Sequence, residues 1–215
     1  MRVRAFVILA ALAASGCASM YDVEEKSIGT LQADMSAGRV TSAELVKAYE
    51  NRIAKMDQAG PRVNSVIALN PDALKDAEEL DAEREAGKPR GPLHGVPILV
   101  KDNIEAKGMA TTAGSLALID NVAATDAPVI ARLKAAGAIV LGKTNLSEWA
   151  NIRSSASVSG WSAVGGLTKN PYVLDRNACG SSSGSGAAAA ASFAAGAIGT
   201  ETDGSITCPA TVNGL

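Results

Sequence analysis

Gly137-Ala-Ile-Val-Leu-Gly142-Lys143-Thr144 admits two incompatible readings, and the choice between them decides the fold. Letter for letter it satisfies GxxxxGK[ST], the phosphate-cradling loop of nucleotide-binding proteins. That loop works only if its backbone is free to curl, so that successive amides converge on phosphate oxygens. Ala, Ile, Val and Leu in the four middle positions instead form a short apolar run of the kind that makes a buried strand. A strand cannot also be the loop. Ala138 to Leu141 is therefore read as a strand, and nucleotide binding is set aside.

Upstream of it, Asp126 and Pro128 open a helix that Gly137 closes. Earlier still, Gly95-Val-Pro-Ile-Leu-Val100 is a second buried-type strand, and it delivers Lys101 at its end. Asn70, with Pro71 in the first turn, caps a charged, Ala-rich helix that stops at Gly87, and Ser65 to Leu69 is a short strand candidate. Thr41 and Glu44 have capping-box spacing, with Leu45, Val46, Tyr49 and Ile53 following at helical intervals. Downstream, Ala187 to Ala197 has Phe193 as its only large side chain. Read as a helix it is small on every face, so it should be buried against close backbone on several sides. Strand, helix, strand at these lengths is α/β organisation with parallel or mixed pairing. No repeat and no linker interrupts the chain after residue 20, which reads as one domain.

The 215 residues are 47% hydrophobic and 20% charged, a globular composition. A formal net charge of -2 argues against a nucleic-acid partner, which needs a basic stripe to neutralise phosphates. Aromatics are only 3%, so the core must rely on close backbone approach rather than on rings. Cys17, Cys179 and Cys208 are too few for a disulfide scaffold and lack metal-ligand spacing. Cys179 and Cys208 are expected to be two buried thiols.

Residues 1–17 are set apart from the fold. Arg2 and Arg4 precede the unbroken apolar run Ala5 to Ala14, and Ser15 and Gly16 lead into Cys17. A basic start, about ten apolar residues and a small-residue exit describe a secretory signal. The Ala-Ser-Gly-Cys ending resembles a bacterial lipobox, in which Cys17 would be lipidated and become the new N-terminus. Ala18 after it would favour outer-membrane delivery over retention. The expected location is exported: periplasmic, or anchored to the outer membrane, with the lipid as the only membrane contact.

Two glycine-containing motifs compete for the chemistry. Gly180-Ser-Ser182-Ser-Gly184 fits the nucleophile elbow GxSxG, but an elbow serine needs a histidine downstream, and the only histidine, His94, lies upstream. A flexible Gly/Ser turn is the competing reading. In Gly199-Thr-Glu-Thr-Asp-Gly-Ser205-Ile, Asp203-Gly204 is a turn signal that would present Ser205 on a tight bend. Amides in such a turn can converge on an oxyanion. With histidine effectively absent, lysine is the remaining base, provided that burial and nearby positive charge or dipoles lower its pKa. Lys101, at the end of an apolar strand, has that setting; a solvated surface charge is the alternative.

Together, Val-Pro-Ile-Leu-Val-Lys101-Asp-Asn, Cys-Gly-Ser181-Ser182-Ser-Gly-Ser and Gly-Thr-Glu-Thr-Asp-Gly-Ser205-Ile resemble the amidase signature family, as does the spacing from Ser181 to Ser205. The resemblance runs from about Ser27 to Leu215. It implies an α/β fold with a mixed β-sheet core flanked by helices. It implies Ser205 as nucleophile, Lys101 as base, and Ser181, after a cis peptide bond from Gly180, as the bridging serine. Ser182 would help to hold Lys101, and the backbone amides of Thr202, Asp203, Gly204 and Ser205 would form the oxyanion hole. No metal or organic cofactor is implied, and the full-length protein would be a monomer acting on a small-molecule or peptide amide.

The stretches Gly-Pro-Arg-Val-Asn-Ser-Val-Ile-Ala-Leu-Asn-Pro-Asp-Ala-Leu and Gly-Lys-Thr-Asn-Leu-Ser-Glu-Trp-Ala-Asn look most like the branch that removes the C-terminal amide of peptides. Thr207 stands where many members have arginine after Ser-Ile, which suits a neutral amide. Residues 18–215 thus read as the N-terminal part of a single amidase domain, truncated after the nucleophile loop and inactive alone. The alternatives are a non-catalytic envelope lipoprotein and an amidotransferase A-type subunit.

Overall fold

The computed structural model describes residues 20–215; the signal segment and Cys17 lie outside the described residues. Its centre is a four-stranded mixed sheet, in the order β1-β3-β2-β6. Strand β1 is Val66–Leu69, β2 is Pro97–Lys101, β3 is Ile139–Thr144 and β6 is Ala197–Ile198. The pairs β2–β3 and β2–β6 are parallel, and β1 runs antiparallel to β3. A separate two-stranded ribbon joins β4 (Trp161–Ser162) to β5 (Gly166–Leu167). The helices are α1 (Ile28–Ser36), α2 (Ser42–Met56), α3 (Ala73–Glu85), α4 (Pro128–Ala135), α5 (Ser183–Ala190) and α6 (Thr207–Val212).

The phosphate-loop letters form a strand. All six residues of β3 are buried between two neighbours. A β-carbon on Gly142 would come within 2.4 Å of the Ala68 carbonyl oxygen, so the glycine serves strand approach. Lys143 Nζ lies 3.0 Å from Asp102 Oδ1, both side chains being 1% exposed. The same amine donates to Ala110 O and Thr111 Oγ1 at 3.0 Å. Its charge is spent on tying loop 110–112 to the sheet.

One apolar cluster joins Leu99, Ile139 and Leu141 to Leu31, Leu45, Tyr49 and Phe193; a second gathers Val100 and Val140 with Ile104, Met109 and Ile130. The capping box of α2 is present, Thr41 and Glu44 each bonding the other's backbone. Two expected caps are not caps. Asn70 Oδ1 accepts the Asp72 amide at 3.1 Å while its Nδ2 reaches Val140 O at 2.8 Å, so Asn70 ties a turn to β3 and the helix starts at Ala73. Asp126 lies one residue outside the cap of α4 and instead bonds the Lys107 amide at 2.7 Å and Lys134 Nζ at 2.8 Å.

The alanine run is also reassigned. Helix α5 begins at Ser183 and ends at Ala190, and Ala197 is already in a strand. Pairing of Ala197 and Ile198 with Leu99 and Val100 overrides alanine's high helix propensity, since tertiary context routinely outweighs local propensity. The expectation of close burial holds for α5 itself. A β-carbon on Gly184 would lie 2.3 Å from Ser65 O and 2.5 Å from the Asn145 amide nitrogen.

Candidate active site

Three segments meet beyond the carboxyl ends of β2 and β6. Strand β2 ends on Lys101, which is fully buried. Its parallel neighbour β6 leads through Gly199 into Thr200, and the start of α5 follows Ser181 and Ser182. Parallel register, Val100 opposite Ile198, brings the lysine and Thr200 onto one edge.

Lys101 Nζ bonds Ser181 Oγ at 2.8 Å and Thr200 Oγ1 at 2.7 Å. Ser181 Oγ in turn bonds Ser205 Oγ at 3.0 Å. Lysine and both serines therefore form one continuous hydrogen-bonded chain. The Gly180–Ser181 peptide is cis. Ser182 Oγ donates to Thr200 O at 3.1 Å and accepts the Thr200 amide at 3.2 Å. Ser182 thus holds the lysine through Thr200 rather than by direct contact. Asn103 Nδ2 completes the Thr200 shell at 3.1 Å.

Burial lowers the Lys101 pKa to about 8, and the Glu201 carboxylate opposes the shift. Of the expected causes, burial is the one at work: removal from water lowers the pKa against the pull of Glu201. Glu201 accepts the amides of Ile206 and of Thr207, the latter at 2.9 Å, and these bonds hold its own pKa below the ordinary carboxylate range. The turn bearing Ser205 is thereby pinned from inside, with Gly204 at φ +80. Among the described residues, no backbone carbonyl accepts the amides of Thr202, Asp203, Gly204 or Ser205. Those of Gly204 and Ser205 already favour the ionised Glu201, which leaves Thr202 and Asp203 the least committed.

Sequence reading assigns Thr200 and Glu201 no role, although they sit inside the quoted motif. The available signal is their position, directly after a strand parallel to the one that ends on Lys101. His94 is fully buried and takes no part in this chemistry: Nε2 faces Leu80 O at 2.8 Å and Nδ1 accepts the Arg90 amide at 3.1 Å, so it is a core residue.

Cys179 and Cys208 are not two free thiols. They form a disulfide with Cα atoms 6.0 Å apart. The contact between the Ser181 and Ser205 segments brings them to bridging distance, which a sequence separation of 29 does not disclose. A cavity of about 480 Å³ opens over the relay, lined by Asn151, Ile152, Ser181, Thr202, Ser205 and the bridge. A larger hollow of about 660 Å³, between Tyr21, Arg39 and Lys47, contains none of the relay residues.

A buried lysine, two serines in series and a turn with uncommitted amides at Thr202 and Asp203 together make an arrangement that can activate a serine without histidine. The Amidase family model matches residues 44–215, and the chain belongs to that family, with the amidase-signature fold. Native peptide amidase from Stenotrophomonas maltophilia is 59% identical with a TM-score of 0.87, over 89% of this chain and 39% of that one. A probable amidase of Arabidopsis thaliana is 46% identical, over 92% of this chain and 38% of its own length. The A-type subunit of a glutamyl-tRNA(Gln) amidotransferase from Symbiobacterium thermophilum is 44% identical, over 83% and 36% respectively. The chain thus spans about two fifths of the length of the relatives it matches.

Proposed function

We propose that the gene product carrying this sequence hydrolyses carboxamides, foremost the C-terminal amide of peptides, to acid and ammonia. The unbroken contact from Lys101 through Ser181 to Ser205, at 2.8 and 3.0 Å, is the observation that carries this reading. The likeness to peptide amidase supports the choice of substrate.

In the protonated state the hydrogen bonds run from Lys101 to Ser181 to Ser205. Once the amine is neutral the direction reverses. Ser205 Oγ gives its proton to Ser181 Oγ as Ser181 gives its own to Lys101 Nζ. The Ser205 oxygen then forms a bond to the amide carbon, and the carbonyl electron pair moves onto oxygen. The amides of Thr202, Asp203, Gly204 and Ser205 receive that charge. Collapse breaks the C–N bond, the relay returns its proton to the nitrogen, and ammonia leaves. Water, activated by the same relay, releases the acid from the acyl-enzyme. Thr200 keeps the amine aimed, and Ser182 keeps Thr200 in place.

The same reading takes residues 1–17 as a lipoprotein signal, Cys17 as the lipidated residue and the envelope as the site of action. The likeness to amidotransferase A-type subunits supports a second reading, transfer of ammonia within an assembly. Assaying the purified full-length gene product on a peptide amide decides between them. Ammonia release without partner subunits, abolished in Ser205→Ala, is the expected result. Activity that appears only with glutamine and partner subunits favours the second reading, and undiminished release by Ser205→Ala overturns both.

A further inference from the structure

The Cys179–Cys208 bridge takes no part in the proton chain, yet it is the covalent link between the chain's two serines. Cys179 precedes Ser181 by two residues, and Cys208 follows Ser205 by three. The ring it closes contains Ser181, Ser182, all of α5, β6, Thr200 and Ser205. Of the relay, only Lys101 lies outside it. Both cysteines line the cavity that opens over Ser181 and Ser205.

The other bonds between the two serine segments fall away from the tip of the turn or at the hydroxyls themselves. Ser182 Oγ exchanges two bonds with the backbone of Thr200, at the base of the turn, and Asn213 Nδ2 reaches Ala178 O at 3.1 Å. Nearer the tip, Ser182 N donates to Ser205 O at 2.9 Å and the two hydroxyls meet at 3.0 Å. Thr202 and Asp203, on the cavity side of the turn, are exposed. Two neutral hydrogen bonds to Ser205 are a modest restraint on a turn whose tip is exposed, because water competes for such partners. A proton relay needs a stronger one, since a displacement of about 1 Å can cost about a hundredfold in rate.

We propose that the Cys179–Cys208 bridge is a positioning pair for the reaction, holding the turn that carries Ser205 against the segment that carries Ser181 so that the relay is closed before substrate arrives. This rests on the amidase reading above. The bridge spans the relay's most exposed joint, Ser181 to Ser205, whereas the joint from Lys101 to Ser181 is buried and needs no such tie.

The test reduces the folded full-length protein with dithiothreitol. One sulfur of the reagent forms a mixed disulfide with one cysteine, and its second sulfur closes the ring. Cys179 and Cys208 are left as thiols and the reagent as a cyclic disulfide. Steady-state ammonia release from a peptide amide and hydrogen exchange of residues 199–208 are then read together. The expected result is a fall in kcat of about a hundredfold with KM little changed, faster exchange confined to 199–208, and recovery of both on re-oxidation. Cys179→Ala with Cys208→Ala should show the same loss without recovery on oxidation; should that variant fail to fold, the reduced wild type carries the test. A kcat that stays within about twofold on reduction overturns the proposal, as does peptide mapping that finds both cysteines free in the native protein. If neither form releases ammonia, the amidase reading fails instead, and unchanged exchange at 199–208 on reduction then overturns the positioning role by itself.

Discussion

Thr200 Oγ1 receives a hydrogen bond from Lys101 Nζ at 2.7 Å, as close as the 2.8 Å contact the same amine makes to Ser181 Oγ. A neutral amine has two N–H bonds and one lone pair. Thr200 Oγ1 and, more distantly, Thr200 O at 3.5 Å can take the two N–H bonds, which leaves the lone pair for Ser181.

Removing that acceptor while keeping the shape should let the amine rotate. Thr200→Val is expected to lower kcat by roughly 10- to 100-fold with KM little altered, the range of a misaligned general base. Thr200→Ser, which keeps the hydroxyl, should retain most activity. Steady-state kinetics on a peptide amide checks both.

Turnover should follow the free-amine form of Lys101. Its pKa of about 8 places the acid limb of the rate profile there, with activity lost as pH falls below it. Because Glu201 raises this pKa, Glu201→Gln keeps an acceptor for Ile206 and Thr207 while moving the limb to lower pH. A limb that stays put or moves upward contradicts the assignment of Lys101 as base.

Lys101→Ala and Ser205→Ala should each lower kcat by several orders of magnitude, and Ser181→Ala should be comparably severe. Because the three act as a unit, the double variant Lys101→Ala with Ser205→Ala should be little worse than either alone. Additive losses in kcat would separate the lysine from the serine.

How much of this was legible in the sequence depended on whether the signal was local. The buried strands ending on Lys101 and Thr144 are readable because a continuous apolar run has few other fates. The Thr41 cap is readable for the same reason, its partner being three residues away. Lys101, Ser181 and Ser205 could be nominated together only through their resemblance to a family, since nothing in their spacing places a strand end beside two loops. Where a residue's partner lay far along the chain, local reading failed. Asn70 and Asp126 look like helix caps until β3 and Lys107 claim their side chains. Ala197 looks helical until β2 pairs with it. The Cys179–Cys208 bridge, and the dependence of Lys101 on Thr200, exist only once the sheet has formed.

The Lys143–Asp102 pair should behave as structure, not as a phosphate site. Lys143→Met leaves a buried carboxylate without its cation, a change expected to cost about 3–5 kcal/mol of stability. Chemical denaturation of the full-length protein measures it. Nucleoside triphosphate should leave the wild-type midpoint unmoved, and a ligand-dependent rise would restore the phosphate-loop reading.

Native product should partition into the detergent phase if Cys17 carries lipid, and Cys17→Ser should release it to the aqueous phase. A wild-type product that is wholly aqueous, with Ser19 or a later residue at its N-terminus, excludes the anchor.

The pairing of Val100 with Ile198 sets more than the shape of a sheet. Successive residues of a strand face opposite ways, so a slip of one position would turn Lys101 away from both serines while every hydrogen bond of the ladder could still form. The quantity that must be kept in this arrangement is a count of residues. A single insertion or deletion between Leu99 and Lys101 would point the base at the wrong layer, and one between Ala197 and Thr200 would carry Thr200 out of reach of it. Tolerance to substitution and tolerance to length change therefore part company here, and a survey of natural or engineered variants should find Leu99, Val100, Ala197 and Ile198 free to vary in apolar identity while both segments keep their length.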